Sequence, residues 1–469
     1  MKRVVVVGGG LSGLATGWAI RQAAGDAGLP LEIRIVERDT VLGGKIRSER
    51  AGGFLCEAGP NGFLDNKPHT LGLCRRLGLQ DRLLRSRDEA RKRYVFAGGS
   101  LRQLPEDPVT FLTSDILSIR GKLRLAAEFF LPQGDPDEDE TVAAFVRRRL
   151  GDEVLDRLID PMAAGIYAGD PEVMSLRSSF PRVFELEQRF GGLLKGMLEL
   201  QRMARQAGKK GPQSAGPGGV LWSCRDGMAE LIRALETAVG PEHVTTGSGA
   251  ERIEPAGKSG WHVRIRDGAT LEADAVVVAV PAYDGGALLR GLDERLADLL
   301  HAVPYVPAAV VCTGYPEHAV PRALDGFGFL IPKSEGRRIL GSLWSSSIFA
   351  ERAPGGRVLL TQILGGARNP ELVSLPEEDL VSIVRQELRL ILGIEAEPEF
   401  VWVRRWPRAI PQYVVGHAQR LREIEERIGR FSGLFLAGNA FYGVGVNDCT
   451  ARAEAVASQV LAHLGGGRG

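Results

Sequence analysis

Lys2-Arg3-Val4-Val5-Val6-Val7-Gly8-Gly9-Gly10-Leu11-Ser12-Gly13 is the stretch whose reading decides the fold. The β-branched valines read as a short buried strand. Helix-compatible Leu14-Ala15-Thr16-Gly17-Trp18-Ala19-Ile20 follows the glycines, and a second apolar run, Leu31 to Val36, ends in Glu37. Strand, glycine turn, helix, strand and acid stand in the order of a dinucleotide-binding βαβ unit. Gly8 permits the tight turn, Gly10 lets the backbone approach a pyrophosphate, and Gly13 lets helix pack on strand. The free N–H groups at the helix start then face the phosphates. Glu37 lies about 24 residues past Gly13, near the spacing of an acid that binds a ribose hydroxyl.

Composition bounds the rest. A chain of 469 residues is long enough for two or three domains. Hydrophobic residues at 44% and charged residues at 25% are ordinary for a globular protein. The net charge of +1 gives no support to a nucleic-acid partner. Cys56, Cys74, Cys224, Cys312 and Cys449 are scattered, without a CxxC pair. Neither a disulfide framework nor a metal site is expected, and a reducing compartment fits. The first strand begins almost at once, so no presequence is expected. No run of 18 uninterrupted apolar residues occurs, so no membrane span is expected, which leaves surface association open.

Beyond Glu37, the adjacent Gly43-Gly44 allow a second close backbone approach, and Arg47 can supply charge for a pyrophosphate. Ala58-Gly59-Pro60-Asn61-Gly62 is too turn-rich for regular structure. Residues 67–90 read as a helix with apolar spacing at Leu71, Leu73, Leu77 and Leu79. A strand over 91–96 turns at Gly98-Gly99, and from about 98 to 210 the pattern is helical and amphipathic. There Leu123, Leu125, Ala126, Phe129, Phe130 and Leu131 stand beside Arg120, Lys122 and Arg124. The plain reading is a core-facing helix with a solvated basic edge; a membrane-surface helix has the same ingredients. Residues 206–219 read as a linker, and Leu221 to Met228 as the opening of a helix that runs on over Leu231 to Val239. Short strands recur to Ala275–Val280, and 286–425 alternates strands with helices near 293–302 and 376–392. Leu434 to Ala437 is a last buried strand. Gly438-Asn439 turns it, and Gly443 to Asp448 leads a terminal helix whose N-terminus makes a second anion site.

With both ends read, Gly8–Gly13, Glu37, Gly43-Gly44, Arg47 and Gly438 to Asp448 resemble the flavin monoamine-oxidase-like superfamily. Gly59-Pro60-Asn61, Gly165-Ile166-Tyr167-Ala168-Gly169-Asp170, Gly326 to Pro332, Ile410-Pro411-Gln412-Tyr413 with Gly416-His417, and Gly445 to Cys449 narrow the resemblance to the HemY-type, oxygen-dependent protoporphyrinogen oxidases. The resemblance implies a fold of α/β and α+β character: a Rossmann-like FAD-binding domain of discontinuous segments (1–90, 210–285, 426–469), a mixed-sheet substrate domain (91–97 and 286–425) and a helical, membrane-associating domain (98–209).

Residue by residue, the resemblance implies that Gly8, Gly10, Ser12 and Gly13 hold the FAD pyrophosphate and Glu37 its ribose. Gly44, Lys45, Arg47, Gly59, Pro60, Asn61 and Gly62 would lie along the flavin and its phosphates. Ala250 stands where the family often places a valine whose backbone meets adenine. Trp406 would pack near the isoalloxazine, and Asn439, Val444, Gly445 and Val446 would contact the flavin. For substrate, Arg93 matches an arginine that pairs with a propionate. Gly165 matches a glycine whose carbonyl faces the tetrapyrrole, and Phe327, Leu330 and Ile363 match apolar residues that sandwich it. The implied reaction is oxidation of protoporphyrinogen IX to protoporphyrin IX in three two-electron steps, with O2 consumed and H2O2 released. No catalytic side chain is called for, because the cofactor carries the chemistry. The resemblance further implies peripheral attachment to the inner face of the cell membrane and is compatible with a homodimer. The nearest alternative substrate is coproporphyrinogen III, whose four propionates call for more basic groups around the pocket. An amine-oxidase-like reaction is a further alternative.

Overall fold

The structure, a computed structural model, describes residues 1–206, 219–257 and 260–465; the linker reading of 206–219 falls almost entirely outside them. Four valines begin the fold. Strand β1 (Lys2–Val7) is the centre of a five-stranded parallel sheet, between β2 (Leu31–Val36) on one side and the strand Ala275–Val278 on the other. Val244–Thr245 and Leu434–Leu436 form its edges. Val4 to Val7 are all buried, as a parallel strand covered on both faces requires. Each buried valine side chain contributes about 1.5–2 kcal/mol of apolar transfer.

On one face of this sheet helix α1 (Leu11–Asp26) packs beside the terminal helix Val446–Gly465, with Leu14, Trp18, Ala453, Val456 and Val460 in one core. The chain's two ends therefore meet there. The other face is covered by a three-stranded antiparallel sheet (Ala250–Pro255, Trp261–Ile265, Thr270–Ala273) and by the helices Ala282–Leu289, Glu294–His301 and His417–Ile428. The helix near 293–302, read from sequence as part of a lobe over 286–425, thus packs under the parallel sheet. Leu296, Leu299 and Leu300 bury against Val276 and Val278 rather than into the second sheet.

That second sheet has seven strands, in the order Phe400–Pro411, Tyr305–Pro316, Arg357–Gly365, Ile339–Leu343, Gly328–Leu330, Tyr94–Ala97, Ser100–Gln103. Only the Gly328–Leu330 and Tyr94–Ala97 pair is parallel, so the sheet is mixed. The amphipathic helix Glu377–Leu392 covers one face through Leu380, Ile383, Val384 and Leu388. Residues 108–206 form mostly short helices around a separate core. Arg149 and Glu128, both fully buried, pair there, and Arg149 donates further to the carbonyls of Leu131, Pro132 and Gly191. A buried ion pair needs that degree of satisfaction.

Three local expectations are corrected. The helix expected over 67–90 spans only Pro68–Arg76, because Gly78, at φ +74°, ends it in a left-handed cap. Leu83–Arg85 is then a strand, paired with Leu221–Cys224. Leu221–Cys224 is likewise a strand rather than a helix start, also paired with Phe63–Leu64, and its helix begins at Ala229. The segment Ile119–Phe130 is not core-facing with a basic edge: Ile119, Leu123 and Phe130 are 79%, 68% and 83% exposed, and Leu125 alone of its apolar side chains packs on the helical core, with Glu128 buried as well.

Candidate active site

The glycine turn after β1 is shaped by what cannot fit. A Cβ on Gly13 would lie 1.8 Å from the Gly8 carbonyl oxygen, so α1 crosses the turn only with glycine there. Gly8 itself has φ +112°. A Cβ on Gly10 would instead point into open space, its nearest neighbour being the Gly43 carbonyl oxygen at 3.9 Å. The 43–44 turn sits over this one: Gly43 donates its N–H to the Gly9 carbonyl, and Gly44, at φ +57°, lies against Gly10. Glu37 closes the end. Its carboxylate accepts the N–H groups of Gly9 at 2.7 Å and Asp39 at 2.9 Å, which fixes its orientation at the tip of β2.

Two cavities open from these turns. The larger, about 640 Å³, runs from Gly8, Gly10, Glu37 and Ala250 to Lys45 and Trp406. The smaller, about 180 Å³, is lined by Ser12, Pro60, Asn439, Val444 and Val446. Both include Gly10, Gly44, Lys45 and Pro281, so together they form one groove across the carboxyl ends of β1 and the strand Ala275–Val278. A groove of that length, with glycine backbone at its middle and a fixed acid at one end, suits a dinucleotide. Among the described residues, Asn61 has a buried side-chain nitrogen without a partner, and Lys45 is a mostly buried ammonium held only by the Ala409 carbonyl and the Tyr305 ring, 4.9 Å from its centroid. Burial pushes the Lys45 pKa down to about 8, with Asp284 acting against the shift. Both are the donors that an anionic, carbonyl-rich cofactor would satisfy.

The remaining expected cofactor residues are placed unevenly. Gly59 and Gly62 lie in the loop beside the groove without lining it. A Cβ at Gly59 would meet the Lys45 carbonyl at 2.2 Å, and one at Gly62 the Trp222 carbonyl at 2.3 Å. Trp406 donates its indole N–H to the Ala58 carbonyl at 2.6 Å and so pins that loop. Arg47 does not line the groove; its guanidinium bonds Asp39 and the carbonyls of Val41 and Gly44, and it holds the 39–47 loop in shape. Gly445 does not line it either, and its N–H is taken by Asp448. Sequence reasoning missed Tyr283 and Arg408, which stack at 4.5 Å on the rim of the larger cavity, and Arg38, bound to Asp284 at 2.9 Å beside them. Strand order alone brings these residues to Gly8; the only local signal was Pro281, which ends the neighbouring strand.

The five expected substrate residues separate into two groups along the seven-stranded sheet. Arg93 lies over Phe327 at 5.5 Å on a third cavity of about 480 Å³, which Arg85, Arg87 and Arg91 also line. Among the described residues the Arg93 side chain has no hydrogen-bonded or ion-paired partner. Its enclosure lowers the guanidinium pKa, with Glu106 opposing. Leu330, Gly341 and Ile363 are in register across three strands, and Gly165 packs on the Leu330 side chain. Gly165 is brought there by the helix Asp160–Tyr167, whose buried Asp160 accepts from Arg368 and from the Lys333 N–H, both at 2.7 Å. Among the described residues no His, Cys, Asp and Glu group could hold a metal ion, and all five cysteines are free and buried.

The Flavin containing amine oxidoreductase family matches residues 11–461, and the chain belongs to that family. It is an FAD-dependent oxidoreductase with the α/β fold, mixed sheets and helices of the flavin amine oxidases. The chain is 32% identical over 472 residues to the coproporphyrinogen III oxidase of Bacillus subtilis (strain 168), which covers 99% of this chain and 98% of the relative. It is 36% identical over 479 residues to the chloroplastic protoporphyrinogen oxidase of Oryza sativa subsp. japonica, covering 98% and 88%. A crystal structure from Exiguobacterium sp. 255-15 superposes with a TM-score of 0.82 at 27% identity over 99% of both chains.

Proposed function

We propose that this chain is an oxygen-dependent porphyrinogen oxidase that converts protoporphyrinogen IX to protoporphyrin IX in three two-electron steps, consuming O2 and releasing H2O2. The observation that carries the reading is Arg93: a guanidinium without a partner among the described residues, over an aromatic ring, at one end of the sheet that also bears Leu330 and Ile363. A carboxylate is the complement of that fork, and a flat macrocycle the complement of the apolar strip. The two groups of relatives, which bear the names of the two porphyrinogen oxidations, support it. The chemistry that bound FAD would supply is hydride acceptance, with O2 as the terminal oxidant. The protein holds and orients. Gly8, Gly10, Ser12 and Gly13 cradle the diphosphate and Glu37 binds the ribose, while Gly44, Lys45, Pro60, Asn439, Val444 and Val446 line the flavin half, and Asn61, next to Pro60, supplies a side-chain donor. Arg93 fixes one propionate, and Gly165, Phe327, Leu330 and Ile363 enclose the ring and exclude water. Segments 1–90, 210–285 and 426–469 serve as the FAD-binding domain, 91–97 and 286–425 as the substrate domain, and 98–209 as a helical membrane-associating domain.

A specific observation favours a second reading, oxidation of coproporphyrinogen III to coproporphyrin III. Arg85, Arg87 and Arg91 share the Arg93 cavity, against Asp88 and Glu106. That basic excess suits a substrate with four carboxylates rather than two. Porphyrin fluorescence followed under air with each porphyrinogen decides it. Faster turnover of protoporphyrinogen IX supports the first reading, faster turnover of coproporphyrinogen III the second, and turnover of neither overturns both.

Lys45 gives the FAD reading a pH signature. Its folded-state pKa of about 8 lies below the ~10.4 of an unfolded lysine. The folded state thus binds fewer protons between those values, and the stability of the apoprotein rises with pH from about 8 towards 10. A diphosphate in the groove restores the proton. FAD binding at pH 8.5 is therefore accompanied by proton uptake, and Lys45→Met abolishes it. Calorimetry in two buffers of different ionisation enthalpy measures this; binding by the unaltered protein without uptake counts against the role.

The exposed apolar face supports peripheral attachment to a membrane. Lys122 donates to the carbonyls of Leu112 and Ser114, which ties the segment bearing the exposed Leu112 to the helix bearing the exposed Ile119 and Leu123, with the exposed Phe130 about two turns beyond Leu123. No helix among the described residues is long and apolar enough to cross a bilayer. Burial of two large apolar side chains in lipid is worth a few kcal/mol. The double variant Leu123→Asp, Phe130→Asp is expected to bind anionic liposomes at least tenfold more weakly, with flavin content unchanged. Equal cosedimentation of parent and variant excludes this face.

A further inference from the structure

Two backbone groups of the segment that follows the last parallel strand are held by one hydroxyl. Tyr413 lies just beyond the strand Phe400–Pro411 and is buried. Its Oη donates to the Asn439 carbonyl at 2.7 Å and accepts the Gly443 N–H at 2.8 Å. Both partners belong to Gly438–Gly445, the segment that carries Asn439 and Val444 to the smaller cavity. Two hydrogen bonds to one atom from residues four apart fix the span of this turn, and a phenol is suited to it because the same oxygen donates and accepts. Gly443 has φ +129° and no room for a side chain, since a Cβ would meet Asp448.

Tyr413 is itself immobilised from the other side. Its ring stacks on His417, centroids 4.2 Å apart and planes 13° apart, and meets Tyr167 edge-on at 6.1 Å. Its carbonyl accepts the Ser175 N–H at 2.8 Å, and Asp139 holds both the Gly416 N–H and the Ser175 hydroxyl. The hydroxyl therefore stands on a scaffold shared by the helical region and the seven-stranded sheet, and it reaches into the nucleotide-binding part.

We propose that Tyr413 is a positioning residue for the flavin end of the FAD groove: its hydroxyl sets the turn that presents Asn439 and Val444 to the cofactor. The inference rests on the FAD reading of the groove. Tyr413→Phe removes only the hydroxyl. Loss of two buried hydrogen bonds is expected to weaken FAD binding by the apoprotein about tenfold and to shift the visible flavin band. Tyr315→Phe, a buried tyrosine in the core beneath helix Glu377–Leu392, is the control; it leaves FAD affinity unchanged. Tyr413→Phe with FAD affinity within twofold of the parent and an unaltered flavin spectrum overturns the proposal. Should that variant fail to fold, amide exchange in the unaltered holoenzyme decides: the Gly443 N–H is expected to exchange at least a hundredfold more slowly than an unstructured peptide, and exchange at the unstructured rate overturns it. A parent protein that takes up no flavin at all would instead refute the FAD reading itself.

Discussion

Gly13→Val is expected to yield a colourless protein. The new Cβ would start 1.8 Å from the Gly8 carbonyl oxygen and 3.0 Å from its carbon, so the clash is with backbone and not with a flexible tip. Gly8 cannot retreat. Its N–H is bonded to the Val36 carbonyl at 2.8 Å, and on its other side even a Cβ added to it would lie only 3.0 Å from Ala279 and Val280. Helix α1 must therefore move off the turn, which takes its N-terminal N–H groups away from the diphosphate. A change of this kind belongs to the class that costs more than ~4 kcal/mol, equivalent to at least a thousandfold in FAD affinity. Gly10→Ala separates the two jobs of the glycines. Its methyl enters open groove rather than backbone, so the melting temperature of the apoprotein holds while FAD affinity falls. The ratio of absorbance at the protein and flavin bands, with a thermal melt, reads both. A yellow Gly13→Val protein with full flavin content would refute the assignment of this turn.

Arg93→Leu is expected to lower kcat/KM for the porphyrinogen by about 30-fold, mostly through KM. Truncating one partner of an enclosed charge pair costs ~2 kcal/mol or more, much of it the penalty of leaving the carboxylate unpaired. The side chain lies over Phe327 on the 480 Å³ cavity and does not line the FAD groove, so flavin content should not change. Arg93→Lys keeps the charge without the planar fork and is expected to recover only part of the loss. Substrate-concentration series on the three proteins measure the split. An Arg93→Leu enzyme with unchanged KM would move the carboxylate elsewhere on the arginine rim, to Arg87 or Arg91.

The part of this protein that local sequence dictates is the part built from contiguous chemistry. A run of valines, a turn that only glycine can make, and an acid at the tip of the next strand are satisfied by neighbours within about 40 residues. Strand β1, helix α1, strand β2 and the Glu37 bond to Gly9 follow from them directly. The terminal strand and helix are legible for the same reason. Where periodicity was ambiguous, partners decided: Leu221–Cys224 is a strand because Phe63–Leu64 and Leu83–Arg85 lie on either side of it. Ile119–Phe130 shows helical apolar spacing, but spacing cannot tell a face that packs on protein from one left open.

The candidate site divides along the same line. Glu37 and the glycines are within reach of each other in sequence, whereas Tyr283 and Arg408, the alignment of Leu330 with Ile363, and the reach of Tyr413 to Asn439 and Gly443 all depend on strand order in two sheets. Arg47 shows the limit most plainly. Its charge suggested a phosphate, but the folded loop offers it Asp39 and two carbonyls first. The sequence by itself determined the nucleotide-binding turn, because hydrogen bonds and steric exclusion between near neighbours leave one arrangement. Only the tertiary structure decided which distant side chains share the groove and which cations are left unpaired, because those follow from long-range packing that no local pattern encodes.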